Sequence, residues 1–376
     1  MAIPTTPFSA QLLLIISFLL LGLWSSTFKL AGNRWRFELF SFDFALGALL
    51  LSLVAAYAFG AFGAELGFAE HLLIASKTNQ ALGFIAGGLF ALGSMLLLSG
   101  TALLGLTFAY SIATAAALLV LAAMQFTGFR AVFLGLVIVA AILALIFASI
   151  GAKSGEATLP AVNLPVMVRV KKSASGRTIK QTRDAGGMQN SSKGILVSII
   201  AGLALGGMVT PFNTSLFGQF GLGTFSGVVV FFGGALAGTL FLGFLLINIP
   251  IHGGPINIKT YFRGGISQHI FGLIGGSFCA AGVLLLSLLN AFPGELRPDP
   301  LWLWAAGLGA GLLAIALGLS KWHELSEASG SAMRSLMIGA MFLIVAIGAF
   351  AFAMDRTPPL PGAQQVGLLE QAQLPG

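Results

Sequence analysis

Ten apolar runs of about 20 residues each dominate this chain, and a run of that length is what an α-helix needs to cross the hydrocarbon core of a bilayer. They fall at 8–28, 42–63, 81–100, 103–125, 131–151, 194–217, 222–249, 268–290, 301–320 and 333–354. Within lipid every backbone N–H and C=O must find a partner inside its own segment, so helices are the fitting structure. Only 8% of the 376 residues are charged, far below the roughly 25% of a soluble domain. The sequence therefore predicts an all-α integral membrane protein with about ten transmembrane helices.

Gly100-Thr101 alone separates the third and fourth runs, which predicts a tight turn there. The one long polar stretch, 152–193, divides the chain into two blocks of five runs, 1–151 and 194–354. The Pro- and Gln-rich tail, 355–376, reads as disordered. Met1 to Ala10 has no basic stretch, so the first run reads as a retained helix rather than a cleaved signal.

The basic residues set an expected orientation. Of 19 Lys and Arg, all but Lys77, Arg130, Arg297 and Arg356 fall in the odd-numbered connections, eight of them in the central stretch. The positive-inside rule then puts the central loop in the cytoplasm and both termini outside, in a plasma (inner) membrane. Confined to these connections, the +7 net charge points to anionic lipid rather than nucleic acid. Cys279 is the single cysteine, which leaves no intrachain disulfide and no cysteine metal cluster.

The two blocks resemble each other. GFIAGGLFALGSMLL (83–97) matches GLIGGSFCAAGVLLL (272–286) at roughly half of its positions, and a polar pair precedes each copy: Asn79-Gln80 and Gln268-His269. In the first and sixth runs Phe28 matches Phe212 and Lys29 matches Asn213, and Arg130 and Arg334 open the fifth and tenth. Five helices per copy force the copies into opposite orientations, the inverted repeat of many secondary transporters.

Several polar residues interrupt the apolar runs. Trp24, Ser26 and Lys29 could bind a polar solute through an indole, a hydroxyl and an ammonium. The competing reading is that Lys29 snorkels to the headgroups and Trp24 joins the aromatic belt. Thr210 and Asn213 are further candidates for binding the solute, or could simply hold helices together by an interhelical hydrogen bond, and they flank Pro211, which removes a backbone donor and can break its helix. Asp43 or Glu38 could carry a coupling proton, or could simply sit at a helix N-terminus. His269 could titrate near neutrality within a solute site, or be merely interfacial. Lys321-Trp322-His323-Glu324 reads as an interface anchor without a zinc-ligand partner. The GxxxG spacings at Gly202, Gly234, Gly272 and Gly307 suit close helix packing.

No GxxxxGK[ST], HExxH or GxSxG occurs, and intramembrane His, Asp and Glu are sparse. That argues against an ATP-driven pump or an enzyme, and neither a metal nor a cofactor is expected.

GLWSSTFK (22–29), WRFELFSFDFALG (35–47), GGLFALGSMLLL (87–98) and KWHELSEASGSAMRSL (321–336), with the five-plus-five layout, resemble the drug/metabolite transporter superfamily. The nearest likeness is to its ten-helix branch of ureide permease-like and glucose/ribose uptake-like proteins. The resemblance implies a permease for a small polar solute such as a sugar, ureide or nucleobase, often driven by protons. Where such proteins have Pro after the first-helix Trp and an amide in the third helix, this chain has Ser25 or Ser26, and Ser94. The nucleotide-binding-like motif of some ureide permease loops is missing. The expected partners are a small polar solute, membrane lipid and, if transport is coupled, a proton. The alternatives are an exporter of the same fold and a non-transporting scaffold subunit.

Overall fold

The computed structural model describes residues 6–32, 35–60, 67–124, 131–155, 186–216, 220–292, 297–326 and 328–355. The expectations for 156–185 and for the tail beyond Asp355 lie outside these residues. Among the described residues the regular structure is all helical: α1 (Pro7–Leu30), α2 (Phe37–Phe59), α3 (Phe68–Ile74), α4 (Lys77–Met124), α5 (Ala131–Gly155), α6 (Gly186–Gly207), α7 (Val209–Leu216), α8 (Gly223–Asn248), α9 (Lys259–Phe262), α10 (Ile266–Ala291), α11 (Pro300–Ser320) and α12 (Gly330–Asp355). Among them, nine segments are long and apolar enough to cross a membrane, α6 and α7 counting as one. The chain is a multi-pass integral membrane protein by this measure. Large apolar side chains such as Val54, Phe241 and Ile344 stay exposed on its outside, where lipid rather than water is the solvent.

Local chemistry sets several helix starts. Thr6 caps α1 through a reciprocal pair with Ser9, and Pro7 occupies the first turn, where its missing N–H costs nothing. At α11 the Asp299 carboxylate accepts the Leu301 amide at 3.0 Å and Pro300 takes the first position. α2 begins at Phe37 rather than 42, because Glu38 is taken into the helix instead of preceding it. α5 and α6 likewise extend into the expected polar stretch, to Gly155 and from Gly186.

The turn between the third and fourth runs lies at Gly105, not at Gly100-Thr101. Gly105 has φ +84°, a left-handed value that only glycine adopts without strain. As one rod, α4 with its 48 residues would reach about 70 Å, over twice the bilayer core. It instead folds back on itself: a Cβ at Gly100 would lie 3.5 Å from the Ala109 Cβ. The arms 77–104 and 106–124 are each long enough to span. Gly100 stays within the helix, and its missing Cβ makes room for Ser198 of α6. Pro211 acts as expected one turn upstream, since its absent N–H leaves the Gly207 carbonyl unbonded and the helix breaks at Met208.

Helix packing recurs in pairs. α10 packs on α2 as the first arm of α4 packs on α8, and α10 meets α1 as that arm meets α6. The crossings are made by glycine. Gly276 faces the Phe44 carbonyl and the Ala48 amide, and Gly87 faces the Phe231 carbonyl and the Ala235 amide. Gly282 meets Leu21, and Gly93 meets Leu205. Without a Cβ, backbones approach to van der Waals distance, the main source of helix association in lipid. Between these crossings lies an aromatic core in which Phe44, Phe231 and Phe232 are buried around Phe90.

Candidate functional site

The polar side chains gather at one end of the bundle, where the α1–α2 link, the α8–α10 link and the turn after α11 meet. Asp43, nearly two turns into α2, is the centre of one cluster. Its Oδ1 accepts the Tyr261 hydroxyl at 2.5 Å, and its Oδ2 lies 2.8 Å from His269 Nδ1. With Asp43 ionised, that imidazole nitrogen donates. The Asp43 side chain is 4% exposed and that of His269 is 25% exposed, so the pair spans from the interior to the rim. Tyr261 and Trp35 pack around the imidazole, with ring centroids at 4.8 and 5.2 Å. Gly264 lets this closure happen, since a Cβ there would come within 2.8 Å of His269 Nε2. The Tyr261 phenol titrates above its ordinary range, through burial and then through the hydrogen bond and negative charge of Asp43. It remains a donor at physiological pH.

Glu38 lies one turn before Asp43, fully buried and held by both Arg36 Nε and Nη2. Arg36 is fixed in turn by the carbonyls of Gly254 at 2.7 Å and His252 at 3.0 Å. Such a two-pronged pair is the strong form of a carboxylate contact. His252 stacks on Phe37 and is pushed down to about 4, mainly by burial and secondly by the Arg36 charge. The 249–265 link is thus bonded over the end of α2.

Lys29, at the end of α1, pairs with Glu324. Deeper along α1, Trp24 is buried against Phe44 at 4.9 Å and Tyr110 at 6.3 Å. Ser25 donates to the Gly22 carbonyl at 3.1 Å and lies beside the Tyr110 hydroxyl as its hydrogen-bond neighbour, whereas the buried hydroxyl of Ser26 has no partner. Buried polar atoms without partners are rare in proteins, and a ligand or water accounts for many of them.

The structure therefore brings Asp43 and His269 into contact and places Glu38, Lys29, Trp24 and Ser26 around the same end of α1 and α2. It does not bring Thr210 and Asn213 there. Thr210 is exposed and bonds Met124 Sδ at 3.2 Å, and Asn213 is half-buried on α7. Asn79 and Gln80 lie at the far end, bonded to carbonyls of Phe220, Leu72 and Ala75. Two open surface hollows are also there, lined by Gln80, Phe84 and Val230 in one case and by Tyr57 and Glu70 in the other. No expected site residue lines them. Among the described residues no group of three or more His, Cys, Asp or Glu could hold a metal ion.

Sequence reasoning missed Tyr261, Tyr110 and Trp35, and read Glu324 only as an anchor. The sequence shows Glu324 only as an acid four residues past the end of α11, without its partners.

No family model matches the chain, and no curated protein matches it. A solved structure described only as "Crystal structure of protein" aligns with 93% of this chain and 98% of its own, at 16% identity and a TM-score of 0.47. A likeness at that level carries no argument.

Proposed function

We propose that the protein is a secondary transporter of a small polar organic solute, working by alternating access between two inverted five-helix halves, 1–151 and 194–354. The two arms of α4 bring the crossings to ten, and the drug/metabolite transporter superfamily is the reading that fits this layout. Support comes from the paired packing: Phe44 and Ala48 stand to Gly276 as Phe231 and Ala235 stand to Gly87. Two halves packed on each other by one rule can exchange their arrangements, which moves an opening from one side to the other.

The observation that carries the proposal is that this doubled frame is uncharged in one copy and ionisable in the other. In the register that pairs Phe44 with Phe231, Asp43 corresponds to Val230; in the register that pairs Gly276 with Gly87, His269 corresponds to Gln80. A scaffold has no use for a buried carboxylate and imidazole at the seam between α2 and α10, whereas a proton-driven carrier does. Asp43 is the proton carrier in this account, with His269 and Tyr261 as its partners. Glu38, held by Arg36, fixes the link above it. Trp24, Ser26 and Tyr110 face the solute. Lys29, Arg36, Lys259, Arg263 and Lys321 all belong to this end, which is therefore the cytoplasmic one, in a plasma membrane with both termini outside.

The test is exchange. Proteoliposomes loaded with unlabelled sugars, ureides or nucleobases are given trace labelled compound outside. Transient accumulation of one label, lost in Ser26→Leu, supports the proposal; no exchange of any compound counts against it.

A further inference from the structure

The tip of the α4 hairpin is held by a side chain from the other half of the chain. The second arm starts at Leu106, and a helix start leaves its first N–H groups without intrahelical partners. In a membrane protein they must be satisfied from elsewhere. Glu324 does so: its Oε1 accepts the Leu106 amide at 2.7 Å, and its Oε2 accepts the Thr107 amide at 2.8 Å and the Thr107 hydroxyl at 2.7 Å. Oε1 also takes Lys29 Nζ, and that ammonium lies 5.5 Å from the Trp322 ring. The carboxylate side chain is only 6% exposed.

The surroundings are shaped to this contact. His323 takes φ +47°, a left-handed value uncommon outside glycine, and so turns Glu324 inward. The Glu324 amide bonds the Gly318 carbonyl at 3.2 Å. A Cβ at Gly318 or Gly105 would lie 2.9 or 3.0 Å from Glu324 Oε2. Ser25 and Ser26 precede Lys29 by about one turn, and Tyr110 follows Thr107 by about one turn. The unpartnered hydroxyl of Ser26 and the buried hydroxyl of Tyr110 thus begin just inside the contact.

We propose that Glu324 is a latch that closes this end of the seam, and that the end opens only when its carboxylate leaves the Leu106 and Thr107 amides. The latch serves the transport proposed above, but its test needs no solute. Three of its four donors belong to α4 and are neutral, so the contact is chiefly a helix cap and only secondly an ion pair. The repeat mate of Lys29 is Asn213, so the cation of the latch has no equivalent at the far end. The resting protein is therefore closed here.

The full chain carrying Cys279→Ala and the reporter Ser25→Cys is reconstituted, and a membrane-impermeant thiol reagent is added from the Lys29 side. The parent labels slowly. Glu324→Gln, which keeps one acceptor oxygen and puts an NH₂ against the donors, labels at least about tenfold faster. Lys29→Met gives a smaller increase, and the exchange Lys29→Glu with Glu324→Lys does not restore the parent rate. Parent-rate labelling in Glu324→Gln overturns the proposal, as does an exchange that restores closure. Should Glu324→Gln not fold, Thr107→Val removes one donor alone: faster labelling supports the latch and an unchanged rate overturns it. A protein that exchanges no solute yet keeps this order of rates retains the latch and loses the transport reading.

Discussion

Replacing Gly276 by alanine should loosen the crossing of α10 on α2, and Gly87→Ala should do the same where α4 crosses α8. At Gly276 the new methyl would lie 2.7 Å from the Ala48 amide nitrogen and closer still to the Phe44 carbonyl. Both are backbone atoms, so no rotamer change can relieve the clash and the helices must move apart. At Gly87 the Ala235 amide is at the same 2.7 Å, with the Phe231 carbonyl closer. Overpacking of this kind costs about 1–3 kcal/mol, and alanine in a helix returns up to ~1 kcal/mol. A net loss of about 1–2 kcal/mol remains, and at roughly 2 °C per kcal/mol for a chain of this size the melting point falls by a few degrees. Gly88 and Gly233 are adjacent controls, since a Cβ at either meets nothing within 4 Å. Their alanine variants should be neutral or slightly more stable. Cys279 supplies the assay, because it is the only cysteine and is buried until α10 comes free. A thiol-reactive dye therefore reports unfolding in detergent. Gly276→Ala melting with the parent, or Gly88→Ala losing as much as Gly87→Ala, would refute the close-crossing argument.

Three further outcomes follow from the polar end. Tyr261→Phe removes the donor to Asp43 Oδ1 and should destabilise the 249–265 link by about 1–2 kcal/mol, measured as faster proteolysis within that link. Arg36→Gln leaves the buried Glu38 carboxylate without its cation and should cost about 3–5 kcal/mol, a loss that the double variant with Glu38→Gln partly recovers in thermal melts. His252 is neutral in the fold down to about pH 4, whereas the unfolded chain takes up its proton near 6.5. The unfolded state thus binds more protons in that window, and stability falls as pH drops from 6.5 toward 4, by on the order of 3 kcal/mol. His252→Phe should flatten this part of the melting-point profile against pH.

Much of the fold was legible because lipid imposes a coarse rule. A run of about 20 apolar residues has few options, so α1, α5, α8, α10, α11 and α12 coincide with their runs to within a few residues. What failed depended on single residues. The charge at Glu38 shortened the second run, because hydropathy cannot show that Arg36 will neutralise it. Gly100 and Gly105 both look like turn residues, but Gly100 serves close packing against Ser198 while Gly105 takes the left-handed φ of the turn. At the candidate site Asp43 and His269 were each noticeable as charge within an apolar run. Their pairing across 226 positions was not, and neither was the role of Tyr261, which lies in a link that periodicity does not describe. Glu324 was hidden for a related reason: its partners are backbone amides, exposed only because Gly105 breaks α4.

The central claim is that Asp43 couples proton movement to solute movement. Proteoliposomes with an inward proton gradient are assayed for the compound found by exchange, comparing the parent with Asp43→Asn. The account predicts that the parent accumulates the compound above equilibrium, while Asp43→Asn exchanges it but accumulates none. Accumulation by Asp43→Asn equal to the parent, or parent uptake indifferent to the gradient, would contradict it.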